Sequence, residues 1–170
     1  GPARGVVRAV RFKIVPPVPD SPARIETVWK AVPIVPDPED SCCQRLMADA
    51  DVPSQDEAKE WLTFCRALKL VEEGPRGYAR IRDGYDPAEF PERFRERVYA
   101  VPELLAVLAD AEEPLSPEVV FDRLRGRVPA WERARTNDWE GTWTRRVERL
   151  LEWAVLFGFA ERAGDGYRAA

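Results

Sequence analysis

One stretch of this chain is used twice. Glu57 to Arg80, EAKEWLTFCRALKLVEEGPRGYAR, falls without a gap on Arg146 to Ala169, RVERLLEWAVLFGFAERAGDGYRA, after a shift of 89 positions. Trp61 then matches Leu150, Leu62 matches Leu151, Phe64 matches Trp153, Leu70 matches Phe159, and Gly77-Tyr78 matches Gly166-Tyr167. Few of these are identities. What repeats is an amphipathic helix, a short apolar strand, a Gly-containing turn and a second short strand opening on Tyr. Two copies spaced by about half of 170 residues predict a duplicated module rather than one continuous domain.

What the chain lacks narrows its chemistry. There is no His, so His-based zinc sites, general bases and catalytic triads are excluded. No HExxH, DxDxDG, GxSxG, GxxxxGK[ST] or GxGxxG occurs. Carboxylates such as Asp37, Glu39 and Asp40 form no recognisable acid–base motif. Cys42, Cys43 and Cys65 are odd in number and show no CxxC spacing, so they read as reduced thiols of a cytoplasmic, prokaryotic protein. Adjacent cysteines on a helix point about 100° apart, so Cys42 and Cys43 are better explained as small buried apolar residues than as a redox pair. The expectation is a protein that is not an enzyme and holds no cofactor or metal. At 45% apolar and 33% charged, the composition is that of a soluble globular chain. No apolar run approaches the roughly 18 residues that a membrane span needs. No signal peptide is evident, and Gly1-Pro2 reads as a protease-cleavage scar.

In chain order, residues 5–15, GVVRAVRFKIV, alternate as a strand with Val6, Val10, Phe12 and Ile14 on one side. The prolines that follow make the segment an extended arm, expected to add a strand to a wing or to a partner subunit. Ser21-Pro22 starts a short helix carrying Ile25, Val28, Trp29 and Val32. Asp37-Pro38 starts a second, through Cys42, Cys43, Leu46 and Met47. Ser54 opens SQDE, a capping box expected to satisfy the first amides reciprocally through Ser54 and Glu57. The helix behind it buries Ala58, Trp61, Leu62, Cys65 and Leu68. Leu70 to Ile81 then form a small hairpin.

Three helices and a β-hairpin, with a tight turn between helices two and three, resemble the winged helix-turn-helix family. The residues that carry the resemblance are CQRLMADADVPSQDEAKEWLTFCRALKLVEEGPRGYARI, Cys43 to Ile81. The second copy starts with a helix on Val101, Leu104, Leu105 and Leu108. A cap-and-proline start follows at Ser116-Pro117, with Val120, Phe121 and Leu124 behind it. The next helix runs from about Glu140 to Phe157, and Gly158 ends it before a short wing. The resemblance reaches from about Ser21 to Ala170. It implies an α+β, mainly helical fold of tandem winged helix-turn-helix modules, each of three helices and a small wing. The boundaries expected are an arm over 1–20, modules over 21–82 and 97–170, and a polar linker over 83–96. In that linker Tyr85, Phe90 and Phe94 are expected to pack the modules together.

The family's third helix normally enters the major groove while its wing touches the backbone or minor groove. That implies a DNA-binding or transcription-associated regulator acting mainly through the second module. There Thr142, Thr144, Arg145, Arg146 and Arg149 lie on the reading helix, and Arg123, Arg125, Arg127, Arg133 and Arg135 stand ready to clamp flanking phosphates. Arg76, Arg80 and Arg168 belong to the wings. The first module offers Asp56, Glu57 and Glu60 at the matching place, which phosphate would repel. The alternative is a non-enzymatic protein-interaction adaptor or homodimer. Tandem winged helices of that kind resemble those of chromosome-condensing and membrane-remodelling complexes, and Trp131, Trp139 and Trp143 would be the anchors. The charge balance leaves both classes open: the net charge is −4, although Arg outnumbers Lys by 22 to 4. The arginine excess is that of a GC-rich genome or of salt adaptation.

Overall fold

Prolines in this chain mark where helices begin. The computed structural model describes residues 12–125 and 139–170. In it Pro22, Pro38, Pro87, Pro91, Pro102 and Pro117 all lie at or within the first positions of helical segments, where the missing N–H is not needed. The first module holds α1 (Ala23–Ala31), α2 (Glu39–Asp49) and α3 (Gln55–Ala67), then the hairpin β1 (Val71–Gly74) and β2 (Gly77–Arg80). A 3-10 turn (Pro87–Glu89) runs into α4 (Phe90–Arg97). The second module repeats the order with α5 (Val101–Asp110), α6 (Pro117–Leu124), α7 (Trp139–Leu156), β3 (Ala160–Ala163) and β4 (Gly166–Ala169). The tandem winged helix read from the repeat is therefore present.

The 89-residue shift carries over to individual hydrogen bonds. Leu70 N donates to Cys65 O at 2.8 Å, and Phe159 N donates to Ala154 O at 2.9 Å. Ile81 N bonds Leu70 O, and Ala170 N bonds Phe159 O. Each hairpin also takes a third, one-residue strand from the chain just before its module's second helix. Tyr78 pairs with Asp37, and Tyr167 pairs with Leu115. This explains why glycine precedes both tyrosines. A Cβ on Gly77 would lie 2.0 Å from the Asp37 carbonyl oxygen, and one on Gly166 would lie 2.9 Å from that of Leu115.

Ser54 Oγ accepts from Glu57 N at 3.1 Å, as a capping box requires. The reciprocal bond is not made. The Glu57 carboxylate instead accepts from Trp61 Nε1 at 3.4 Å.

The stretch read as a polar linker contains α4, and α4 fastens the two modules together. Phe94 is fully buried, with its ring 6.4 Å from Phe64 and 5.2 Å from Phe157. Phe90 meets Tyr85, which stacks on Trp29 at 5.1 Å. Arg93 and Arg97 donate to the carbonyls of Leu68 and of Ala67 and Arg66 at the C-terminal end of α3.

The arm also differs from expectation. Phe12 makes a parallel bridge with Val98 at the end of α4 instead of extending either wing's hairpin, although it lines a cleft with Val71, Glu72 and Glu73 of β1. It is buried between the guanidiniums of Arg66 and Arg97, whereas Ile14 is exposed, so the alternation does not hold a common face. Val6 and Val10 lie outside the described residues.

Candidate nucleic-acid interface

The third helix of each module is amphipathic in sequence, yet from its middle onward each is buried nearly all round. Trp61 and Phe64 of α3 and Trp153 of α7 are each 2% exposed or less. They meet one another: Phe64 lies 4.3 Å from Trp153, and Trp61 lies 5.9 Å from Trp153, ring centre to ring centre. Beside them Arg149 Nη1 pairs with Glu60 at 3.0 Å. Glu60 and Arg149 are counterparts in the repeat, and so are Phe64 and Trp153. Contact between a position and its own counterpart is what a two-fold axis produces, so the seam has the form of a homodimer interface built into one chain.

The arm closes one side of this seam. Trp153 Nε1 donates to Pro16 O at 2.8 Å, and Arg149 Nη1 also donates to Val15 O at 3.1 Å. Arg149, expected on the reading surface, is thus a seam residue. Periodicity places it on the outer face of α7 but does not show that α3 covers that face.

The leading turns of both helices stay outside the seam, and there the modules differ in charge. Asp56 and Glu57 of α3 stand at the positions that Arg145 and Arg146 occupy in α7, and the same inversion continues into the seam at Glu60 and Arg149. Arg145 is exposed and donates to Thr142 Oγ1 at 3.4 Å. Arg146 is half-buried, its guanidinium 4.9 Å from the centre of the Trp143 ring. Thr144 Oγ1 donates back to the Glu140 carbonyl, so its hydroxyl serves the helix. A cleft of about 250 Å³ opens between arm, α3 and α7, lined by Ile14, Val15, Glu60, Thr142, Arg145, Arg146 and Arg149. The sequence signal for Ile14, Val15 and Glu60 is faint. Only the opposite charges at counterpart positions 60 and 149 point to a contact there.

The remaining expected contacts divide. Arg123 on α6 is exposed and has no carboxylate partner among the described residues. Arg125 pairs with Glu140 and with Asp122. Arg168 pairs with Glu161 at 2.8 Å, while Arg76 sits exposed on the first wing's turn. Arg80 lies over the Trp29 ring at 5.4 Å, against its own module's core. Trp143 is 4% exposed and so is a core residue, not an accessible anchor. Arg127, Arg133, Arg135 and Trp131 lie outside the described residues, as does the side chain of Trp139.

Two other features bear on the class of function. Cys42, Cys43 and Cys65 are free and buried. Burial pushes the Cys65 thiol up to about 12, away from the reactive thiolate. Among the described residues no group of acids and cysteines is placed to hold a metal, and no helix is long and apolar enough to cross a membrane.

Over residues 10–170 the chain matches the family model of the halobacterial double winged helix domain, and it belongs to that family. No curated protein and no solved structure matches it.

Proposed function

We propose that this double winged helix is a non-enzymatic, cytoplasmic, DNA-associated regulator that touches DNA with its second module and uses the first as a rigid support. The charge inversion between the two third helices carries this reading. Leading turns are the part of a third helix that enters a groove, and the seam leaves those turns uncovered. In α3 they present Asp56 and Glu57, which repel phosphate. In α7 they present Arg145 with Arg146 beside it, and Arg123 of α6 stands exposed in the same module, beside the second wing. Reading is confined to the start of α7, because the helix is committed to the seam from Arg149 onward. The contact is therefore dominated by phosphates and is weakly selective for sequence.

The test is binding to random duplex DNA across a salt series. The double variant Arg123→Glu/Arg145→Glu should weaken binding at least tenfold at low salt. It should also flatten the salt slope by about 2, one unit for each phosphate no longer neutralised. Unchanged affinity in that variant would remove the proposed contact surface.

One observation favours a protein partner as the second reading. Ile34 and Val35, between two prolines in the turn from α1 to α2, are 46% and 75% exposed. Two adjacent apolar side chains so placed suit a protein surface better than a phosphate backbone. Absence of DNA binding at low salt would make that reading the leading one.

A further inference from the structure

We infer that the cleft between the arm and α7 is a binding site for a phosphate group. Its lining among the described residues contains three guanidiniums, Arg145, Arg146 and Arg149, against the single carboxylate of Glu60. All three lie within two turns of one helix, and Glu60 offsets only the charge of Arg149, with which it pairs. The site is also held in place. Arg149 bonds Glu60 and Val15 through Nη1, so among the described residues Nε and Nη2 are left to donate to a ligand. Arg146 is oriented by its stacking on buried Trp143, and the Thr142 hydroxyl supplies a further polar group at the rim. Guanidinium forks match tetrahedral phosphate oxygens in pairs, which ammonium groups do not. Ile14 and Val15 form an apolar wall on the arm side, so charge–charge attraction there is less screened than on open surface.

A site of this kind takes the phosphate of a small phosphorylated molecule or a phosphate of a nucleic-acid backbone. It shares Arg145 and Arg146 with the contact surface proposed above, whereas Arg149, Thr142 and Glu60 belong to the cleft and Arg123 plays no part in it.

The test is calorimetric titration of the intact protein with inorganic phosphate, with ionic strength held constant by chloride. One saturable site is expected. Glu60→Gln removes the only acid that lines the cleft among the described residues and should tighten phosphate binding about fivefold, a gain that partial unfolding cannot imitate. Arg146→Gln should weaken it about tenfold, with the thermal midpoint recorded alongside. Non-saturable heats, or equal affinity in wild type and Glu60→Gln, would overturn the site. A second arm identifies the source of the phosphate. If saturating phosphate displaces duplex DNA at constant ionic strength, the cleft serves the backbone. If phosphate saturates the cleft while DNA affinity stays the same, it serves a small molecule. Loss of DNA binding in Arg123→Glu with an unchanged phosphate titration separates this site from the DNA contact surface.

Discussion

Lys69 follows α3 at a left-handed φ of 61°, a conformation that L residues with a side chain adopt at a cost of about 1–2 kcal/mol. Its counterpart in the repeat is Gly158, at φ 85°. The two helices end in the same way, and only one has the residue suited to it. Lys69→Gly should therefore stabilise the protein by about 0.5–1 kcal/mol, read as a higher urea midpoint at constant m; a lower midpoint would contradict this account. Buried thiols give a second prediction at this scale. Cys65 is held at about 12 by burial, against an ordinary 9.0, so the folded state keeps a proton that the unfolded chain releases. Its contribution to stability is complete below pH 9 and is lost as pH rises towards 12. Cys42, at about 11, and Tyr78, at about 12, act in the same direction. The urea midpoint should fall above pH 9, and it should fall less steeply in Cys65→Ala. Parallel slopes in the two proteins would exclude Cys65 as a contributor. Capping and burial at single positions are legible in the sequence: Ser54, Ser116 and the stripes of α3 and α7 stand where their spacing puts them. What Glu57 bonds to is not legible, because the choice between an amide and the Trp61 indole depends on the rotamers of a packed helix.

Elements are legible in proportion to how local their causes are. The helix–hairpin unit, its Gly-Tyr strand and the Ser116-Pro117 start arise from short-range preferences, and the repeat shows the helix–hairpin unit twice; Asp37 does not cap α2, because its carboxylate pairs with Arg45. Helix α4 is masked by Pro87 and Pro91, which read as breakers although each stands at the start of a helical turn. The seam between α3 and α7 is not legible, because the periodicity of one helix says nothing about what covers its second face. Hence Arg149 reads as a DNA contact, and Phe64 falls outside the expected buried stripe. Phe94 is where this difference can be measured. Its ring is fully buried between Phe64 of one module and Phe157 of the other. Phe94→Ala should destabilise the protein by about 3–5 kcal/mol, and Phe94→Leu by clearly less, since most of the volume is kept. A loss under about 1 kcal/mol for the alanine variant would mean that α4 is a tether and not part of the core.

At the scale of the whole molecule, the question is whether two modules joined through aromatic side chains unfold as two bodies or one. The contacts argue for one. The buried apolar residues of both modules, α4 and Phe12 form a single continuous cluster. Arg93 and Arg97 cap the end of α3 from outside its module, and Trp153 of the second module rests on Trp61 and Phe64 of the first. Separating the modules would expose these rings together, which makes a half-folded state costly in hydrophobic free energy. The cysteines offer a direct readout, since all three lie in the first module. Leu151 is fully buried in the second module, so Leu151→Ala should lower stability by about 2–5 kcal/mol. If the molecule opens as one body, that substitution shifts the urea midpoint for thiol labelling of Cys65, more than half the chain away in sequence, by as much as it shifts the loss of helix measured by circular dichroism. A labelling midpoint unmoved by Leu151→Ala would mean that the first module stands alone. In that case the seam would be a contact that can open, and the buried flanks of α3 and α7 would become available to a ligand after all.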